Sequence, residues 1–395
     1  MSCSGAEASA VLVRPLARAL RRGHPWIWRD ALRGLEAEPG TVVSVVDRQG
    51  RFVARGLAEV GPIGVRVLTM DRRESVDAAL FARRLSAASS LRERVVPPQT
   101  SAYRLLHGEG DRVPGAQCDI YGPYAVLRLD GSAALAWRDI IAGALAPVLA
   151  PRGVQALLAR SGRQEDKKIE ALWGQPPPEA VVVEEHGMLL LADLCHGQKT
   201  GLFLDQRESR RRVRELARGR RVLDLFGYTG GFSVAAGLGG AALVDTVDVA
   251  AAALELGARS WARGGLPPER LHRHARDAFA FLEQAGAQGA RWDLVVADPP
   301  SFAPSEASVP AALRSYTRLH ELCWRVLAPE GLYLAASCSS HVRRDAFVET
   351  LLAAAAATRR QVQLLDAWGA PADHPRLLGF PEGDYLKVLL LRALG

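Results

Sequence analysis

Between Arg221 and the C-terminal region, short apolar runs alternate with helix-length stretches, and few folds accept that alternation. The runs are Val222–Phe226, Ala242–Val247, Leu271–His274, Leu294–Ala297, Leu332–Ala336, Val362–Leu365 and Leu386–Leu391. The stretches between them predict helices over Phe232–Leu238, Ala250–Arg263, Ala278–Gln284, Pro310–Leu327 and Val342–Thr358. Strands alternating with helices build a parallel sheet covered on both faces, because each crossover helix packs back on the sheet. Only a loop joins the last two runs, so the final strand is expected to enter antiparallel. The expected fold class is therefore α/β and doubly wound, with an antiparallel last strand.

Most strand ends in this half offer a chemical group. The first junction reads Asp224-Leu-Phe-Gly-Tyr-Thr-Gly-Gly-Phe-Ser233, a carboxylate within the strand and then a glycine turn. Without a β-carbon, Gly227, Gly230 and Gly231 let the backbone take positive φ and lie against a ligand. Asp248 ends the second strand, where a carboxylate can accept from both ribose hydroxyls. Asp277 follows the third, where it can take the amino group of an adenine, cap the helix from Ala278, or do both. The turn lacks the Gly-x-Gly-x-x-Gly spacing that seats a pyrophosphate, which argues against a nicotinamide cofactor. A sulfonium nucleoside such as S-adenosylmethionine carries no phosphate and needs no such seat.

The fourth strand ends Asp298-Pro-Pro-Ser-Phe302. Two prolines stiffen the chain and keep Asp298 out of helical geometry, aiming an acceptor at an amino group on a planar base. Phe302 can lie on a base face. The fifth ends Ser337-Cys-Ser339. A Cys338 thiolate there could add to carbon 6 of cytosine and make carbon 5 nucleophilic, a covalent route that divides one hard step into two. The helix beginning at Val342 is expected to lower the thiol's pKa. His341 is open to a role as base or to a capping role, and Cys323 is read as core.

A chain of 395 residues is too long for one core. Three parts are expected: a β-rich module over 1–75, an α+β block over 76–185 and the doubly wound part over 186–395. The module carries Leu20-Arg-Arg-Gly-His-Pro-Trp-Ile-Trp28, whose tryptophans could stack on nucleic acid or anchor a small core. In the middle block, Asp111 and Arg112 could face a substrate but are read as a solvated loop, and Ser161 to Glu170 as a charged surface stretch. The helix from Gln206 to Arg218 carries Arg207, Arg210, Arg211, Arg212, Arg214 and Arg218, by default a solvated face.

The net charge of +7, mostly arginine, suits a polyanionic partner such as RNA and equally a GC-rich genome that spells its cations as Arg. Five scattered cysteines make neither a disulfide framework nor a metal site expected. No apolar run approaches the ~18 residues of a membrane span. The N-terminus lacks the pattern of a signal peptide, so a cytoplasmic protein is expected.

Five segments together resemble the RlmI-type family of rRNA large-subunit cytosine-C5 methyltransferases. They are His196-Gly-Gln-Lys-Thr-Gly-Leu-Phe-Leu-Asp-Gln-Arg207, Asp224 to Ser233, Asp298 to Phe302, Ser337-Cys-Ser339, and Asp373-His-Pro375 with Pro381-Glu-Gly-Asp-Tyr-Leu-Lys387. Gly23-His24-Pro25-Trp26 resembles a PUA domain, a compact barrel of RNA-modifying proteins. The resemblance implies a Rossmann-like methyltransferase sheet behind a PUA domain and a central domain, and covers nearly the whole chain. It implies S-adenosylmethionine near Lys199, Thr200, Phe203, Gln206, Asp224, Tyr228, Gly230, Asp248, Asp277 and Asp298. It also implies Cys338 as nucleophile, 5-methylcytosine as product and large-subunit rRNA as partner; a homodimer is compatible with it. Two departures stand out. Gly227 replaces a cysteine common in the family, a change expected only to loosen the turn. Arg259-Ser-Trp-Ala-Arg-Gly-Gly265 replaces a helix end that usually reads Asn-Gly. Two other readings stay open: an amino-group methyltransferase acting on guanine or adenine, and a non-catalytic RNA-binding assembly factor.

Overall fold

A computed structural model of the chain describes residues 8–161, 168–197 and 199–394. Cys3, Gln198 and most of the stretch from 161 to 170 lie outside the described residues. The chain divides into two compact units: residues 1–97, 102–178 and 372–383, and residues 98–101, 179–371 and 384–395.

The first unit holds two sheets. The six-stranded one runs Trp26–Trp28, Ile63–Thr69, Phe52–Ala58, Val42–Val46, Ala8–Leu12, Leu32–Arg33 in spatial order. Ile27, Val43, Val45, Ala54 and Val65 fill its interior, as alternation along β-branched strands dictates. The five-stranded sheet includes Ala102–His107 and Ala116–Tyr121, and helices Ala78–Val95 and Arg138–Leu149 share its core. Asp77 caps the first of those helices by accepting from the Leu80 N–H. Buried Arg66 joins the two sheets, donating to Glu59 at 2.7 Å and to Glu109 at 2.8 Å.

Asp111 corrects the reading of a solvated loop. Its carboxylate is buried and takes both prongs of Arg92 at 2.7 and 2.6 Å, together with the His107 N–H. Trp26 is only partly buried. Its Nε1 donates to Glu109, and its ring meets Phe380 edge-on at 4.6 Å. Phe380 belongs to residues 372–383, which pack in this unit. Buried Asp373 accepts the Arg104 N–H at 3.0 Å, and its carbonyl accepts from Arg92 at 2.9 Å.

The second unit opens with a hairpin, Val181–Glu185 against Met188–Ala192. Its sheet contains β1 (Arg221–Leu225), β2 (Leu243–Asp248), β3 (Leu271–Ala275), β4 (Trp292–Ala297), β5 (Leu327–Ser337), β6 (Val362–Trp368) and β7 (Lys387–Ala393). The spatial order is β3-β2-β1-β4-β5-β7-β6. The first five pair in parallel, and β7 inserts antiparallel between β5 and β6. Val222, Leu223 and Leu225 are all fully buried because the central strand has helices on both faces.

The helices are α1 (Arg207–Leu216), α2 (Gly231–Leu238), α3 (Ala251–Arg263), α4 (Ala278–Ala287), α5 (Val309–Val326) and α6 (Arg344–Ala357). On α3 the buried residues are Leu254, Gly257, Ser260 and Trp261, one helical face. Ser260 and Trp261 belong to the departure noted above. Ser260 Oγ accepts the Leu191 N–H, and Trp261 Nε1 donates to the Pro267 carbonyl, so this stretch seals the helix end by packing. On α1 the solvated-face reading fails for two arginines. Arg207 and Arg210 are 1% and 4% exposed. Arg210 forms a fork with fully buried Glu185 at 2.6 and 2.5 Å. Sequence shows a run of cations; only the opposing hairpin supplies the carboxylate that lets one be buried.

Candidate active site

The carboxyl ends of β1, β2, β4 and β5 border one cavity of about 350 Å³ in the second unit. At the end of β1 the chain turns through Phe226 and Tyr228, both with left-handed φ of 60° and 47°. Non-glycine residues take that conformation at a cost, and such strain gathers where a backbone must be shaped for a ligand. Gly227 lies between them. A β-carbon there would come within 2.3 Å of Thr246 Oγ1, so glycine is demanded by close packing and does more than loosen the turn. Gly230, at φ 70°, rests against Gly257 of α3; it shapes the turn and does not line the cavity.

Asp224 lies beneath the turn, fully buried and off the cavity wall. Ser233 Oγ donates to its Oδ2 at 2.6 Å, while Oδ1 is buried without a partner. Burial pushes its carboxyl up to about 7, and the Ser233 bonds only partly offset this. Asp248 lines the cavity and accepts from the Tyr228 and Ala250 N–H groups at 2.9 and 2.8 Å. Asp277 lines it too, while accepting from the Ala280 N–H as the cap of α4.

Lys199 reaches over the Phe203 ring, 4.2 Å from its centre, and pairs with Asp205 at 2.9 Å. Phe203 meets Tyr228 edge-on at 5.5 Å. Lys199, Phe203, Gln206 and Tyr228 all line the cavity, whereas buried Thr200 does not. Sequence reasoning passed over Asp205 and Arg210, which also line it. Arg210 donates to the Phe203 carbonyl at 3.0 Å and so fixes the loop above the cavity. Asp205 accepts from Tyr385 as well as Lys199. It sits inside the segment quoted above, but nothing in its spacing set it apart.

Asp298 and Cys338 also line the cavity. Their loops are stitched together: Ser301 Oγ lies 3.0 Å from Ser339 Oγ, and Cys338 Sγ points at the Pro299 carbonyl at 3.9 Å. Tyr316 of α5 bonds both Ser337 and Ser339, at 2.9 and 3.0 Å, and fixes the cysteine's neighbours on each side. Burial, and then the nearby Asp205 charge, push the Asp298 carboxyl up to about 6. Burial, and then Asp298, push the Cys338 thiol up to about 11. That reverses the expected lowering. The helix, α6, starts only at Arg344, and around the thiol desolvation outweighs the favourable charges of Lys199 and Lys387. His341 is exposed, and Cys323 is buried in the core.

The cavity's chemistry fits an adenosine sulfonium. Asp248 and Asp277 offer acceptors suited to hydroxyl and amino groups, Phe279 and Phe302 give apolar walls, and no phosphate seat is needed. This sheet order with acids at the strand ends defines a nucleoside-binding α/β enzyme of the methyltransferase class. The sequence model of the S-adenosylmethionine-dependent methyltransferases matches residues 136–391, and that of a PUA-like domain matches 12–70. Ribosomal RNA large subunit methyltransferase I of Erwinia tasmaniensis is 34% identical over 393 residues, covering 97% of this chain and 99% of that protein. Its counterpart in Shewanella denitrificans is 35% identical over 387 residues, covering 95% and 97%. A Streptococcus mutans structure described as a SAM-dependent methyltransferase superposes with a TM-score of 0.86 at 22% identity, covering 98% of this chain and all of the other. The chain belongs to the S-adenosylmethionine-dependent methyltransferase family, in the branch it shares with the ribosomal RNA large subunit methyltransferase I proteins. Its cofactor is S-adenosylmethionine, and its β-rich front module is a PUA-like domain. Among the described residues no helix is long and apolar enough to cross a membrane.

Proposed function

We propose that this chain methylates carbon 5 of a cytosine in large-subunit rRNA through a covalent adduct with Cys338, in the cytoplasm. The observation that carries the reading is the stitched pair of loops: a thiol and a proline-locked acid border the same cavity as the cofactor acids. The names of the 34–35% identical relatives support rRNA as substrate, and the PUA-like domain supports an RNA partner.

When bound, the cofactor supplies an electrophilic methyl group. Lys199, Phe203, Gln206, Tyr228, Asp248 and Asp277, which line the cavity, would hold it, and Asp224 and Gly230 shape the turn beside them. Asp298, held toward its neutral form, donates a proton to ring nitrogen 3 and accepts from the exocyclic amine of cytosine. The Cys338 sulfur, having passed its proton to solvent, bonds to carbon 6. The ring's electron pair moves to carbon 5, which would take the methyl group as its bond to the sulfonium breaks, leaving a neutral thioether. A base then removes the carbon 5 proton, the carbon–sulfur bond breaks, and nitrogen 3 returns its proton.

The test is Cys338→Ala, with methyl transfer followed by nucleoside mass spectrometry and cofactor affinity by calorimetry. Lost 5-methylcytosine with near-normal cofactor affinity is expected. Full activity in this variant contradicts the covalent route, and a methylated exocyclic amine in the product contradicts carbon 5 as the target. Comparing rRNA from cells with and without the protein locates the modified nucleotide.

A further inference from the structure

Lys387 is a buried cation beside the loop that carries Cys338. It starts β7 and pairs in register with Ser337, the last residue of β5 before the cysteine. Its side chain is 1% exposed. The ammonium donates to the Ser339 carbonyl at 2.6 Å and to the Tyr385 carbonyl at 2.9 Å. Among the described residues it makes no ion pair. Burying an ammonium against carbonyls alone is costly, and an apolar chain of the same length would fill the space without that cost. Lys199, the other lysine facing the thiol, differs. Its charge is already paired with Asp205.

We propose that Lys387 is the positioning residue of the Cys338 thiol: one ammonium pins the loop carrying the sulfur and supplies the unpaired positive charge against which the thiolate forms. This rests on the covalent reading of Cys338. The groups facing the thiol are Asp298 and Asp205, which oppose its ionisation, and Lys199 and Lys387, which favour it. Cys338 and Asp384 favour the charge on Lys387, and Arg344 opposes it. Burial draws the ammonium down to about 8, so its charge is present at neutral pH and fades as pH rises beyond that.

The experiment uses the full chain and iodoacetamide, with alkylation of the Cys338 peptide read by mass spectrometry between about pH 6 and pH 10. Lys387→Met is expected to slow Cys338 alkylation at about pH 8 by about tenfold, one pKa unit's worth of thiolate. Lys387→Arg, which keeps the charge, is expected to stay within about threefold of the parent. In both variants cofactor affinity is expected to hold, and the methylation loss in Lys387→Met to fall on kcat rather than on the KM for RNA. A Met variant that alkylates at the parent rate and with the parent pH profile overturns the proposal. Where the Met variant does not fold, Lys387→Gln, an uncharged donor, is judged by the same two outcomes. Methyl transfer that survives Cys338→Ala overturns the covalent reading itself. A dead Cys338→Ala beside unchanged alkylation in Lys387→Met overturns only the role of Lys387.

Discussion

The two halves of the cavity are built differently. On the half proposed to hold adenosine, Asp248 and Asp277 accept backbone N–H groups from Tyr228, Ala250 and Ala280, so each acid is part of a turn or cap. On the half proposed for the reaction, Asp298 and Cys338 sit on loops tied by serine hydroxyls, and burial displaces both toward their protonated forms. The contrast is physical. A cofactor that arrives in one form can be met by acceptors wired into the backbone. A reacting base needs groups whose charge changes during the step, and partial desolvation keeps them poised.

Substitutions across the two halves should separate on this basis. The largest effect is expected for Cys338→Ala: methyl transfer falls by at least about a thousandfold, with cofactor affinity within a few-fold. Next comes Asp298→Asn, where kcat/KM falls by about a hundredfold or more while the cofactor's Kd, measured by calorimetry, barely moves. Asp248→Ala should do the reverse. Cofactor affinity weakens by about tenfold or more, while Cys338 alkylation without cofactor keeps the parent rate. Equal loss of binding in the Asp298 and Asp248 variants breaks the division into halves.

The remaining effect is on stability and concerns Asp224, which supports the turn from below. Folding raises its carboxyl from 3.8 to about 7, so between those values the folded chain binds a proton that the unfolded chain has released. Stability therefore falls as pH rises through that window, and the loss is complete above it. Asp224→Asn is expected to flatten this dependence by a few kcal/mol, read as a smaller gap between melting curves at about pH 5 and about pH 8. An unchanged gap would mean that the buried acid is already ionised throughout.

The sheet was legible because period and length speak plainly in a doubly wound half. Continuous apolar runs such as Leu294 to Ala297 have no other use than a strand covered on both faces. The strand-end groups Asp248, Asp277, Asp298 and Cys338 were legible as candidates because topology brings strand ends to one edge, and the structure gathers all four around one cavity. What escaped depends on partners far away in sequence. Arg210 looks solvated until Glu185 is placed beside it, and Asp111 looks like loop until Arg92 takes it. Strands Ala102–His107 and Ala116–Tyr121 were hidden in a segment rich in charge and glycine, where tertiary pairing overrides local propensity. The thiol's protonation was misjudged because a helix terminus is visible in sequence and desolvation is not.

The most direct measurement of the central claim is a trap. RNA in which the target cytosine carries fluorine at carbon 5 cannot release that position as a proton, so an adduct at carbon 6 is stranded after methyl transfer. Incubation with cofactor, followed by denaturing electrophoresis and peptide mass spectrometry, should give a cross-link on the peptide bearing Cys338. Turnover of ordinary RNA by the same preparation, with no cross-link or with one on another residue, would contradict the account.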